Sequence, residues 1–117
     1  MYAFDTNLKE FHAMMLYMSC TIDDGDMDIA QIVEAMVVLT NWYRMHLEGD
    51  LMSVLRTGYP AYIASVANRV EYIGFHFMKI RNSLRRSGLL VEQCIVDVYE
   101  PFGQIGELFL NFKNARV

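Results

Sequence analysis

The strongest constraint on the fold is the spacing of the apolar residues, which recur every three or four positions and show no sustained alternation of the kind strands require. In the first segment the apolar stripe is Phe4, Leu8, Phe11, Met15 and Met18. Such spacing places these residues on one side of an α-helix. Glycines and prolines divide the remaining pattern into segments. We therefore predict an all-α protein of about six helices, at residues 2–19, 28–47, 51–56, 61–85, 89–100 and 104–114.

Two boundaries in this pattern are sharp. The sequence TGYP at 57–60 favours a helix that ends at Gly58 and another that begins with Pro60 in its first turn. Pro101 is predicted to end the helix at 89–100, because proline has no amide hydrogen to donate to the helix.

The length and composition favour one domain in a reducing compartment. The chain has 117 residues, enough to bury a core without disulfides, and no linker divides it, so we expect a single all-α domain at 1–117. No apolar run reaches the roughly 18 to 20 residues that span a bilayer, which predicts no membrane insertion. The charged N-terminus does not resemble a signal peptide. Cys20 and Cys94 form no CxxC motif, and we expect two buried, reduced thiols and a cytoplasmic location.

Two parts of the chain are weakly similar to each other. FHAM at 11–14 recurs as FHFM at 75–78, and IVEAM at 32–36 recurs as IVDVY at 95–99. In each copy the second motif follows a glycine, Gly25 or Gly88, at the same distance. This repeat predicts two helical hairpins, at about 8–45 and 70–103, which pack about a pseudo-twofold axis because neither hairpin buries its apolar face alone.

Charge is distributed unevenly along the chain. Residues 1–50 contain nine acidic and two basic residues, a net charge of −7, whereas residues 51–117 contain five acidic and eight basic residues, a net charge of +3. Such a dipole favours association between copies as a homo-oligomer, or the recruitment of a charged protein partner. The alternative is that these charges form ordinary solvated surfaces.

Four aspartates surround Gly25 between the first two predicted helices: Asp23, Asp24, Asp26 and Asp28. In one interpretation Asp24, Asp26 and Asp28 bind a divalent cation, since hard cations prefer carboxylate oxygens. In the other, the cluster starts a helix, with Asp26 or Asp28 accepting from the first free backbone amides. An EF-hand is excluded, because no register fits its ligands, its glycine and its final glutamate together.

The segment Asp-Gly-Asp-Met-Asp-Ile-Ala-Gln-Ile at 24–32 resembles the TerB-like domains, found in the tellurite-resistance protein TerB and in a DnaJ-type co-chaperone. Their pattern is roughly Ala-Asp-Gly-x-Ile-x-x-x-Glu in each of two halves. Gln31 stands at the position of the glutamate, and in the second half Ser-Gly-Leu-Leu at 87–90 keeps the glycine, with Cys94 at the glutamate position. The resemblance covers residues 8–45 and 70–103. It implies an all-α TerB-like fold, a cytoplasmic stress-related role such as tellurite resistance, divalent-metal binding by acidic side chains, and contacts with other proteins.

Other residue patterns narrow the functional classes. No phosphate-binding loop, nucleophile motif or histidine motif for metal is recognisable, so we expect no enzyme and no cofactor other than a divalent cation. The negative net charge of the chain argues against nucleic acid as a partner. His12 and His76 occupy equivalent repeat positions, which would let them approach each other across the pseudo-twofold axis; the alternative is that each is a buried or half-exposed histidine with a backbone partner. The seven methionines from Met14 to Met52 either form an adaptable surface that binds helices or fill the core.

These patterns and the resemblance together lead us to expect a small cytoplasmic, stress-related protein-binding domain of TerB-like type, for which a divalent ion at the acidic turn stays one of two interpretations. The alternative is a small inhibitor or accessory protein of phage type that acts through protein contacts made by its acidic half.

Overall fold

A computed structural model describes residues 2–86 and 92–115, with side chains for all of these except residues 2, 84, 92–101 and 115. The described residues form five α-helices and no strand. The helices are α1 (Tyr2–Asp23), α2 (Ile29–His46), α3 (Glu48–Thr57), α4 (Pro60–Arg86) and α5 (Glu92–Ala115). The predicted all-α class is confirmed for this part of the chain.

Helix α1 ends at the glycine turn that the sequence predicts. Its apolar stripe is buried throughout, from Phe4 to Met18. Gly25 has φ +75°, and no other described residue has a positive φ. The Gly25 amide donates to the carbonyl of Ile22 and the Asp26 amide to that of Thr21. This is the Schellman pattern, in which a left-handed glycine lets the chain reverse while the last helical carbonyls stay bonded.

The C-terminal end of α3 depends on a close contact at Gly58. Helix α3 ends at Thr57 and α4 begins at Pro60, as predicted. Gly58 has φ −75°, so its role is not conformational freedom. A Cβ atom at Gly58 would lie 2.5 Å from the Val54 carbonyl oxygen. The glycine is therefore needed for space at the end of α3.

The predicted helix break at Pro101 is wrong, because α5 continues through it. The structure has one helix from Glu92 to Ala115 where we expected two. A proline inside a helix costs about 3 kcal/mol, because a backbone hydrogen bond is lost and its ring crowds the preceding turn. The helix continues because Phe102, Ile105 and Phe109, on the turns that follow, are buried in the core, and each such side chain contributes roughly 1.5–3 kcal/mol.

The long helices pack as two antiparallel pairs. In the first pair, Asn7 of α1 contacts His46 of α2, while Phe11 stacks on Trp42. In the second, Lys113 of α5 bonds to Asn68 of α4, while Phe77 contacts Phe102. In each pair the residue numbers of the partners run in opposite directions. A Cβ atom at Gly106 would lie 2.9 Å from Val70, so this glycine allows α5 to approach α4 closely.

Helices α1 and α4, from different pairs, run parallel. The links between them are Asp5 with Tyr62, His12 with Arg69, and Asp23 with Lys79. The partner numbers rise together, at an almost constant separation of 56 to 57 residues. The predicted matching of Gly25 with Gly88 involves a residue outside the described ranges, so the internal repeat stays a prediction.

The core is centred on a cluster of aromatic rings contributed by four helices. Phe11 of α1 is fully buried, and its ring lies 5.7–6.0 Å from four other rings. These rings are Trp42, Tyr43, Phe77 and Phe102. One side chain therefore joins the two helix pairs at their centre.

Candidate functional site

The acidic turn is organised around the start of α2. Asp28 is the N-cap, and its Oδ1 accepts from the Gln31 backbone amide at 2.9 Å. In return, the Asp28 amide donates to Oε1 of Gln31 at 2.9 Å. This reciprocal pair is a capping box, which satisfies two backbone amides that would otherwise lack a partner. Gln31 therefore has a structural role at the position where the TerB-like pattern has glutamate.

The other aspartates of the turn are exposed and do not act alike. Asp23 accepts from Nζ of Lys79 on α4 at 2.7 Å, whereas Asp24 and Asp26 face solvent. Within residues 2–86 and 92–115, no group of three or more His, Cys, Asp or Glu side chains is placed to hold a metal ion. The metal site of Asp24, Asp26 and Asp28 stays a prediction. The Asp-x-x-Gln spacing at 28–31 is the sequence signal that identifies the cap.

An open apolar groove lies between α1 and α2, with a volume of about 800 Å³. Met27 of the turn also lines it. Helix α1 contributes Ala13, Met14, Tyr17 and Met18, and α2 contributes Gln31, Glu34, Ala35, Val38 and Leu39. Two of these residues, Ala13 on α1 and Ala35 on α2, have small side chains, which leaves space in each wall of the groove.

Large apolar side chains remain exposed along this groove, which we call the α1–α2 groove. Tyr17 is 73% exposed and Val38 is 60% exposed. Met45, two turns after Val38 on the same face of α2, is also exposed. Exposed apolar residues gathered in one place are typical of an interaction surface, whereas single ones are ordinary.

The methionines of the first half divide between the two roles that the sequence left open. Met15 and Met36 are fully buried in the core. Met14, Met18 and Met27 line the α1–α2 groove. Flexible thioethers adapt their shape to a partner, so their presence suits a surface that binds apolar side chains.

A second polar site lies where α1 meets α4. The rings of His12 and His76 are 5.6 Å apart, which confirms that these histidines approach each other. Nη1 of Arg69 lies 2.9 Å from Nδ1 of His12. Because arginine only donates, this His12 nitrogen accepts, and the ring carries its proton on Nε2. Nδ1 of His76 is buried and meets no protein partner among the described residues.

The surroundings of the two histidines favour their neutral forms. Burial lowers the pKa of His12 below its ordinary value of 6.5, and the charges of Arg69 and His76 lower it further. Burial also lowers the pKa of His76, followed by the charge of Lys79. The pair has two imidazoles and cationic neighbours, which is too few ligands for a structural metal site. We regard it as part of the packing between α1 and α4.

The two cysteines were expected to be buried. Cys20 is instead an exposed free thiol in the last turn of α1. The side chain of Cys94 lies outside the described residues.

Comparisons of the chain with protein-family models, curated proteins and solved structures found no match. Among the described helices, none combines the length and the apolar composition that crossing a membrane requires.

Proposed function

We propose that this chain is a small all-α binding domain that acts through protein contacts, with the α1–α2 groove as its docking surface. The observation that supports the proposal is the groove itself, an open apolar channel flanked by exposed Tyr17 and Val38. A tyrosine buries a large area at a small cost in conformational entropy, so Tyr17 is the expected anchor, and Val38 adds apolar area beside it.

The family part of the proposal is a TerB-like domain with a stress-related role in the cytoplasm. It is supported by the turn motif at 24–32, by the glycine at positive φ within that motif, and by the antiparallel helices on either side of it. Asp28 is engaged in the capping box with Gln31, so the proposal takes the acidic turn as a helix start, and a divalent ion bound by Asp24, Asp26 and Asp28 is the alternative to be tested.

A second candidate is an inhibitor or accessory protein that contacts its target through the acidic half. Exposed Asp24 and Asp26, beside the groove, support it. The two candidates differ in which surface meets the partner, so a test that locates the contact separates them.

Site-specific photo-crosslinking in extracts of the source cells locates the contact. A photoreactive residue replaces Tyr17 in the groove, and in a matched sample it replaces Tyr59, which is 82% exposed and lies between α3 and α4. We expect a discrete crosslinked protein from position 17 and none from position 59. Excess unmodified protein should abolish the product, whereas a Tyr17→Ser, Val38→Ser double variant should not.

No product at position 17, or equal products at both positions, contradicts a groove-based function. A product obtained only from a photoreactive residue at Asp26 favours the inhibitor that uses its acidic turn.

A further inference from the structure

The residues around the α1–α2 groove carry negative charge. Glu34 lines the groove, and Glu10 lies one turn before Met14 on the same face of α1. Asp24 and Asp26 are exposed at the end nearest Met27. No residue that lines the groove is basic. Lys9 and Arg44 lie toward the other end, beside Glu10 and Met45. Arg86 of α4 lies beside Met27 and Asp28, so the negative charge that faces the groove comes from Glu34, Asp24 and Asp26.

The groove has the shape and length of a helix-binding site. From Gln31 to Met45, the exposed face of α2 extends over about 14 residues at 1.5 Å each, or roughly 21 Å. A partner helix of about four turns covers that length. Its apolar face would bury Tyr17, Val38 and Met45, which are now exposed.

A helix fits this surface better than an extended segment does. An extended peptide gains affinity by adding to the free edge of a sheet. The described residues contain no strand, and the backbone groups of both groove walls are bonded within their own helices. An amphipathic helix needs only an apolar channel with space for its side chains.

A second copy of this chain is a poorer occupant. A symmetric dimer joins the same surface of both molecules. With the two grooves running in the same direction, two sets of acidic residues meet, and like charges brought together at an interface are destabilising. The opposite direction brings each acidic turn near Lys9 and Arg44 of the other copy, and sedimentation of the free protein tests that arrangement.

We infer that the α1–α2 groove binds a basic amphipathic helix of a partner protein, with the basic residues of that helix over the acidic turn. This inference rests on the proposed function and specifies the chemistry of the partner. Apolar contacts with Tyr17 and Val38 supply affinity, while Glu34, Asp24 and Asp26 select for positive charge.

Three fluorescent peptides of about 18 residues test the inference by anisotropy. The first has leucines at helical spacing on one face and lysines on the other. The second has glutamate in place of each lysine, and the third has the composition of the first in scrambled order. We expect the dissociation constant of the lysine peptide to be at least tenfold lower than those of the other two. Raising the salt concentration should weaken its binding, because counterions screen exposed charges.

Matched variants separate the local charge from the overall charge. Asp24→Asn, Asp26→Asn, Glu34→Gln removes three carboxylates at the groove. Asp50→Asn, Glu71→Gln, Glu107→Gln removes three exposed carboxylates elsewhere. Both changes alter the net charge equally. We expect the first to weaken binding of the lysine peptide at least fivefold and the second to change it less than twofold. Circular dichroism checks that both variants fold.

Several results would overturn the inference. They are equal binding of the lysine and glutamate peptides, equal effects of the two triple variants, and a dimer in sedimentation that Tyr17→Ser dissociates. If these peptides fail while crosslinking at position 17 succeeds, the groove still binds a protein but the partner is not a basic helix. If crosslinking also fails, both proposals are wrong.

Discussion

Helix α1 contacts α4 and α2 in different ways. Against α4 it has three polar links along its length, at Asp5, His12 and Asp23, each with a partner 56 or 57 residues later. Against α2, Asn7 donates a long bond of 3.4 Å to the His46 carbonyl, and Phe11 stacks on Trp42. The α4 side therefore has a defined register, whereas the α2 side relies on apolar packing and leaves a groove. The contrast indicates where this molecule is rigid and where it can adapt.

The Asp5 link shows how the α4 side is stabilised. Tyr62 donates its hydroxyl hydrogen to Oδ1 of Asp5. Burial raises the pKa of Tyr62 above its ordinary value, and the hydrogen bond to Asp5 raises it further. The tyrosine therefore stays protonated as a donor over the physiological range.

The largest expected effect on stability is at Phe11, because its ring contacts both α2 and α4. Phe11→Ala leaves a cavity among four rings of α2, α4 and α5. We expect a loss of about 3–5 kcal/mol in the free energy of unfolding, measured by urea denaturation. Tyr17→Ala, on the groove side of the same helix, should change it by less than about 0.5 kcal/mol. Similar losses in the two variants would mean that the groove is part of the core.

The next effect concerns the turn that joins α1 to α2. Asp28→Ala removes the N-cap bond to the Gln31 amide, and we expect a loss of about 1 kcal/mol in thermal or urea unfolding. Asp24→Ala, which removes an exposed carboxylate from the same turn, is the matched control and should have little effect. An Asp24 change that costs as much as the Asp28 change would show that the turn is not held by the cap alone.

A further variant of the same turn tests the predicted metal site. Because Oδ1 of Asp28 accepts from the Gln31 amide, we expect millimolar Ca²⁺ or Mg²⁺ to leave the melting temperature unchanged. An ion that binds only the folded protein would raise it by mass action. A rise that disappears in an Asp24→Asn, Asp26→Asn variant would establish the site.

A smaller, pH-dependent effect concerns the α4 side. The pKa values of His12 and His76 are lowered in the folded protein, whereas in the unfolded chain they return to the ordinary histidine pKa of 6.5. Below pH 6.5 the unfolded chain therefore binds more protons than the folded protein does. The free energy of unfolding should therefore be highest above pH 6.5 and should fall as the pH drops toward the lowered folded values. We expect this change in the free energy of unfolding to be smaller than that caused by Asp28→Ala, because both imidazole rings are only partly buried.

A His12→Gln, His76→Gln variant should show a weaker loss of stability between pH 6.5 and about 5, above the ordinary carboxylate range. His46→Gln, at an exposed position in the last turn of α2, is the matched control and should keep the parent's pH dependence. If the double variant and the parent lose stability to the same extent, the histidine pair does not sense pH.

Local signals in the sequence determined most of the helices. The stripe from Phe4 to Met18 predicted the buried face of α1, and Gly25 and Pro60 predicted where the chain turns. These predictions succeed because helical spacing and backbone freedom depend on near neighbours in the chain. Pro101 is the exception, since its local preference is outweighed by the burial of Phe102, Ile105 and Phe109.

The sequence alone determined the all-α class, the acidic first half and the chemistry of each turn residue. Only the tertiary structure decided that α1 runs parallel to α4 and that α1 and α2 leave an apolar groove between them. The physical reason is distance along the chain. A helix or a turn is specified by residues within a few positions of each other, whereas a groove depends on the volumes of side chains about 20 residues apart, which meet only after the helices pack.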